Sequence, residues 1–233
     1  MSVPMRPTLL AAAHGTRSPA GQATTTALIA RVRGVRPGLP VDLSFLDVLE
    51  PGLASRLSSL AGPAVVVPVL LSAGYHVHDD IPPLAAARAT VARHLGPDRV
   101  LSEVLAARLA RAGGTSADTV ALVAAPSART PAARDLDTAA ADLASVLGRP
   151  VQPLTVGASL PASLAALPGR VGIATYLLSE GHFFDTLRTA ASKAGAVAVA
   201  EPLGAHPAIA ELILARYDEA LGLIDRNAAA PVR

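Results

Sequence analysis

The chain is built twice from one plan, and that duplication limits it to folds with two similar lobes. Leu95-Gly96-Pro97-Asp98, followed by Glu103 and Ala107-Arg108, returns at the same spacing as Leu203-Gly204-Ala205-His206, Glu211 and Ala215-Arg216. Leu70-Leu71-Ser72-Ala73-Gly74 returns as Leu177-Leu178-Ser179-Glu180-Gly181. Ala13-His14-Gly15-Thr16-Arg17-Ser18-Pro19-Ala20 matches Ala125-Pro126-Ser127-Ala128-Arg129-Thr130-Pro131-Ala132. Blocks that recur in one order mark an internal repeat.

Each copy alternates short apolar runs with stretches of helical pattern. The first copy predicts strands at 8–13, 41–46, 64–71 and, briefly, 90–94, with helices over 18–33, 51–60, from Asp80 onward, and over 98–112. The second predicts strands at 119–125, 151–156, 170–177 and 196–201, with helices over 131–147, 159–167, 183–194 and 206–222. Gly113-Gly114-Thr115-Ser116 joins the copies, since paired glycines resist both helix and strand. The expected fold is α/β: two similar doubly wound lobes, each on a parallel four-stranded sheet covered on both faces. The expected division is a first lobe at 1–113 carrying the functional site, a degenerate repeat lobe at 117–224 and a flexible tail at 225–233.

Composition narrows the chemistry. Hydrophobic residues make up 51% of the chain and charged ones 16%, which predicts a packed core, and aromatics at 3% leave Ala, Val and Leu to build it. The chain has no cysteine, which excludes disulfides, thiolate metal sites and thiol catalysis. Any metal must therefore be held by histidine and carboxylate. A formal charge of +2 with dispersed arginines leaves no nucleic-acid footprint. The apolar stretch within Met1 to Ala13 is too short for a secretory core, and no run reaches the roughly 18 apolar residues of a membrane span. The expectation is a cytoplasmic protein acting on neither membrane nor nucleic acid.

Two histidines stand just past the ends of predicted strands. His14 follows Leu9-Leu10-Ala11-Ala12-Ala13, and His76 follows the run that ends Val69-Leu70-Leu71-Ser72-Ala73-Gly74-Tyr75. In a sheet ordered 2-1-3-4 these strands are neighbours, and the crevice between their carboxyl ends is where such sheets bind ligands. Asp47 lies past the second strand, on the other side of the first. Two imidazoles and a carboxylate suit a borderline divalent ion such as iron, cobalt or nickel. Each residue also has an ordinary reading: a histidine after a strand is a common hydrogen-bonded loop residue, and Asp47 reads equally as a helix cap. Asp79 and Asp80 read as caps, His78 as solvent-facing, and His94 and His206 as structural. At the positions matched to His14 and His76 the second copy carries Pro126 and Phe183, while His182 aligns with Tyr75. One asymmetric site per chain follows, with the second lobe as its wall or lid.

His14-Gly15-Thr16-Arg17, Phe45-Leu46-Asp47 with Glu50-Pro51, and Pro68-Val69-Leu70-Leu71-Ser72-Ala73-Gly74-Tyr75-His76 with Asp80-Ile81-Pro82 together resemble the sirohydrochlorin chelatase family. That family includes the cobaltochelatases and ferrochelatases of cobalamin and sirohaem synthesis. The motifs cover most of the first copy, and the duplicated arrangement of the long forms extends the likeness to about residue 222. The resemblance implies a class II chelatase-like fold and ATP-independent insertion of Co2+ or Fe2+ into a modified tetrapyrrole, with Ni2+ fitting the same donors. The metal is then a substrate, and no organic cofactor is implied. His14 and His76 match the family's metal-binding and base histidines. Asp47 stands where the long forms carry a glutamate, one methylene longer, and Thr16 replaces the commoner serine.

The chemistry fits the residues independently of the likeness. Metal insertion removes two pyrrole protons while the ion sheds water, and neutral imidazole can both bind the ion and accept a proton near neutral pH. A polycarboxylate tetrapyrrole calls for cationic anchors at the cleft mouth. Arg17 and Arg129 are the candidates, with Tyr75 beside them as a third substrate contact, although an arginine at a turn reads equally as solvated. Since one chain can form the whole cleft, a monomer is expected. The alternative reading is a carrier that binds metal or tetrapyrrole without turnover. A histidine phosphatase would want arginine directly before the His-Gly pair, where Ala13 stands.

Overall fold

The structure, a computed structural model, describes residues 6–86 and 88–228. Residues 1–5 of the expected first lobe, residue 87 and residues 229–233 of the expected tail lie outside the described residues. Two four-stranded parallel sheets form, ordered β2-β1-β3-β4 and β6-β5-β7-β8. The first holds β1 (Thr8–Ala13), β2 (Val41–Phe45), β3 (Ala64–Val69) and β4 (Ala89–Val91). The second holds β5 (Thr119–Ala124), β6 (Val151–Thr155), β7 (Val171–Tyr176) and β8 (Ala198–Val199). The edge strands β4 and β8 are shorter than the runs that predict them. Short edges expose few unpaired backbone groups.

Both faces of the central strands are buried, as a parallel sheet requires. Leu9, Ala11 and Ala13 of β1 point to one core, and Leu10 and Ala12 point to another. The outer cores are separate. α2 (Leu53–Ser59) and α3 (Ile81–Ala85) bury Leu53, Leu57, Ile81 and Ala85 on the outside of the first sheet. α6 (Leu160–Ala165) and α7 (His182–Lys193) bury Leu160, Leu164, Leu187 and Ala190 on the outside of the second.

The inner core is shared. α1 (Pro19–Val35), α4 (Arg99–Arg111), α5 (Thr130–Leu147) and α8 (Pro207–Ala228) lie between the sheets and contribute to one continuous cluster. Within that layer the last helix of each copy changes sides. α4, from the first copy, packs on β7 and α5, while α8, from the second, packs on β3, β4 and α1. A boundary near residue 113 therefore divides the sequence but not the packing. α8 also continues to Ala228, so residues 225–228, expected in a tail, are helical.

Arginines lock the exchanged helices. Arg216 of α8 is 2% exposed. Its guanidinium donates to the carbonyls of His94 (3.1 Å) and Leu95 (3.0 Å) and pairs with Asp98 (2.7 Å). Arg108, at the matching position of α4, donates to the Leu203 carbonyl at 3.0 Å. Each helix thus grips the loop that leads out of the other copy's edge strand.

Candidate active site

The ends of β1, β3, β5 and β7 face one cleft between the lobes, with a cavity volume of about 880 Å3. Its walls include His14, Thr16, Arg17, Tyr75 and His76 from the first lobe and Ser127, Arg129, Tyr176, His182 and Phe183 from the second. Parallel strands put ligand sites at their carboxyl ends because the connecting loops there diverge to opposite faces. Two such ends facing each other make the cleft.

The structure brings His14 and His76 together, with ring centroids 4.8 Å apart and planes tilted by 50°. An ion about 2.1 Å from a ring nitrogen lies about 3.2 Å from that ring's centroid, so this separation suits two imidazoles sharing one ion at roughly 100°. His14 extends β1, and β2 fixes it from beside: Leu46 N–H donates to the Ala13 carbonyl (2.9 Å) and Asp47 N–H to the His14 carbonyl (3.0 Å). Gly15, at φ 94°, leaves room for this crossing, since a Cβ there would collide with the Asp47 carbonyl. The His14 imidazole is held below the usual histidine range, first by loss of hydration between the lobes, then by repulsion from His76, with Asp47 opposing. Its neutral form dominates at neutral pH.

His76 opens a turn of π-helix over His76–Asp80 that runs directly into α3. The wider turn is a feature often found at functional positions. Asp80, expected as a simple N-cap, makes no capping hydrogen bond. Its carboxylate lies 2.6 Å from His76 Nδ1 instead. A carboxylate only accepts, so Nδ1 carries the proton and the Nε2 lone pair is left free for a ligand. Helical turns therefore begin at His76 rather than at Asp80, and the resulting four-residue separation lets the two side chains meet.

Asp47 does not join the pair. Its Oδ1 accepts from the Val48 N–H at 2.7 Å, which holds the carboxylate within its own exposed turn. Among the described residues no three His, Asp or Glu side chains gather as a metal-holding group. The Asp47 carboxylate acts on the His14 imidazole through charge.

Arg129 crosses the cleft mouth. Its guanidinium pairs with Asp79 at 2.5 Å and lies 5.3 Å from the centre of the Tyr75 ring. Asp79, expected as a cap, thus holds the other lobe's arginine. Arg17 is exposed on the cleft wall. His78 is exposed, as expected. His94 lies against Asp135 (3.2 Å), and His206 Nδ1 accepts from the Ala208 N–H (3.2 Å), so both have structural partners.

The strand ends correct the repeat alignment by one residue. β1 and β5 end at Ala13 and Ala124, which sets His14 against Ala125 rather than Pro126. The turns agree: Ser18 N–H donates to Thr16 Oγ1 in one copy and Arg129 N–H to Ser127 Oγ in the other. Arg129 is therefore the counterpart of Ser18, not of Arg17. Matching arginine and proline identities shifts the block, whereas the hydrogen-bonded register does not. Val69 and Tyr176 end β3 and β7, so His76 does correspond to Phe183 and Tyr75 to His182.

Three residues that sequence reasoning missed tie the site loops across the lobes. Asp135 of α5 accepts from the Ala73 N–H at 2.7 Å, just before His76. Thr24 of α1 donates to Glu180 at 2.7 Å, at the corresponding place in the other direction. Tyr176, buried and kept neutral mainly by that burial, donates to the Leu71 carbonyl at 3.0 Å. The only signal for the first two lies in the corrected register, which pairs Thr24 with Asp135 and Ala73 with Glu180.

Residues 8–112 match the family model CbiX. The whole fold is similar to solved structures. SirB from Bacillus subtilis with Fe3+ superposes with a TM-score of 0.77 at 22% identity, over 93% of this chain and 96% of that one. The sirohydrochlorin chelatase SirB from Bacillus subtilis subspecies spizizenii in complex with cobalt gives 0.77 at 20% identity, over 93% and 95%. CbiX, described as the terminal enzyme for biosynthesis of siroheme in denitrifying bacteria, gives 0.69 at 24% identity, over 91% and 99%. No match was found among curated proteins. The fold expected from the sequence, two α/β lobes of the chelatase type, is the fold observed. Among the described residues no helix is long and apolar enough to cross a membrane.

Proposed function

We propose that the protein inserts Co2+ or Fe2+ into sirohydrochlorin without ATP, using His14 and His76 at the cleft between its lobes. The single observation that carries this reading is the imidazole pair at 4.8 Å, set past the ends of neighbouring strands and lining a cleft of about 880 Å3 between the lobes. The CbiX match over the lobe that holds both histidines supports the choice of substrate.

In this reading the metal ion is a substrate that His14 and His76 hold while the macrocycle enters. His14 is neutral through desolvation, so it binds the ion without first losing a proton. His76 presents Nε2 because Asp80 occupies Nδ1. Once the ion passes to the pyrrole nitrogens, the two released protons need acceptors, and the vacated imidazoles are the bases at hand. Asp80 stabilises the imidazolium formed on His76. Arg129, Arg17 and Tyr75 meet the substrate's rim, where carboxylates pair with guanidinium groups. One chain supplies both walls, so the reading requires no second copy.

The test follows the absorbance change on mixing the protein with sirohydrochlorin and Co2+ or Fe2+. Wild-type protein should metallate well above background, and His14→Ala and His76→Ala should each lower kcat/KM by about 100-fold or more. A wild-type rate equal to background overturns the reading. Stoichiometric binding without turnover would instead make the protein a carrier.

A further inference from the structure

Val48 is the one non-glycine residue with positive φ among the described residues, at 69°. A β-branched residue is the worst choice for that conformation, because its Cβ substituents crowd the backbone. The turn is closed tightly in this strained form. Leu49 N–H donates to the Asp47 carbonyl at 2.7 Å, and Val48 N–H donates to Asp47 Oδ1 at 2.7 Å.

Packing does not explain the valine. Its side chain is 45% exposed, and it lines the cleft rather than a core. Asparagine or glycine would relieve the strain at no cost in buried contacts. The residue is also tied to the chemistry, since the preceding Asp47 N–H donates to the His14 carbonyl at 3.0 Å. Strain kept at a site with no internal contact to justify it points to a contact made outside the chain. The cleft walls repeat the pattern. Tyr75 and Phe183 are likewise large, exposed and cleft-lining, although neither is strained.

We infer that Val48 is a substrate-positioning residue that presses its isopropyl group on the apolar body of the bound tetrapyrrole, beside the metal-holding His14. This rests on the metal-insertion reading for the identity of the occupant. Val48 offers the apolar macrocycle an exposed aliphatic contact in the turn that pins His14, and carboxylates at its rim are met elsewhere, at Arg129 and Arg17. Fixing the side chain in a rigid turn places the contact without cost in rotamer freedom at the moment of binding.

The test compares Val48→Asn and Val48→Ile in the full chain. Asparagine tolerates positive φ but is polar, whereas isoleucine keeps both the branching and the apolar surface. Three quantities are read: the thermal midpoint of the protein alone, the Kd for metal-free sirohydrochlorin by optical titration, and the Kd for Co2+. For V48N the thermal midpoint should equal or exceed that of wild type, while the tetrapyrrole Kd rises about tenfold, the loss expected for one valine contact. V48I should keep the tetrapyrrole Kd within about twofold of wild type, and neither variant should shift the Co2+ Kd by more than that. A V48N protein that binds tetrapyrrole like wild type overturns the inference. So does one that melts markedly lower, since the valine would then serve the fold. If wild type binds the tetrapyrrole but does not metallate it, the functional reading fails and the titration still decides on Val48. If wild type does not bind it, both fail.

Discussion

The two lobes share a fold, yet they differ at the matched positions that line the cleft and cap the exchanged helices. Where the first lobe carries His14 and His76 in the loops beyond its central strands, the second carries Ala125 and Phe183 at the matching positions. Where the first has Asp98 capping α4 and pairing with Arg216, the second has His206 capping α8 beside Arg108. The carboxylate in one copy makes an ion pair. The imidazole in the other is held below its usual range by burial first and then by Arg108 and Arg31, so it caps as a neutral acceptor. Duplication supplied the scaffold twice, and the imidazole pair stands in one copy.

The sharpest way to break this comparison is to remove the locks between the exchanged helices. Arg216→Met strands Asp98 and two loop carbonyls in a buried setting and should cost about 3–5 kcal/mol by denaturant unfolding. Arg108→Met removes a single hydrogen bond and should cost about 1 kcal/mol. Equal losses would mean that the two crossings are still equivalent.

A smaller effect sharpens the division at the site. Asp80→Asn leaves His76 without its carboxylate, and its counterpart by the same register is Leu187, which packs in the outer core. The variant should lose about tenfold in metal affinity or metallation rate, read by Co2+ titration and steady-state kinetics, with its stability little changed. The smallest effect concerns pH. His94 is held below the usual histidine range mainly by burial, against an opposing bond from Asp135, and His14 is held low in the same way. The unfolded chain therefore binds more protons than the folded one below about pH 6.5, and stability should fall as the pH drops through that window. His94→Gln should flatten the slope of unfolding free energy against pH, and an unchanged slope would assign it to other groups.

Much of the site was readable because it depends on local order. A histidine directly after an apolar run lands at a strand end whatever the rest of the chain does, and strand order 2-1-3-4 then makes His14 and His76 neighbours. Asp47 shows where that logic stops. Its place past β2 is near enough for charge, but its carboxylate is engaged by the N–H of the next residue and forms no trio with the two histidines. Asp80 shows the opposite error, since a residue that reads as a cap is the partner of His76. Side-chain direction over one turn separates these cases, and spacing does not encode it.

The alternation of strands and helices, the duplication, the parallel sheets and the two imidazoles are legible in residue order, because hydrophobic periodicity and chain order are local properties. Which sheet each amphipathic helix covers is set by long-range packing. An apolar face needs burial but does not name its partner, so α4 and α8 could change sides without a mark in the pattern. The same crossing pins the site loops through Asp135, Thr24 and Tyr176, residues more than sixty positions from the groups they hold.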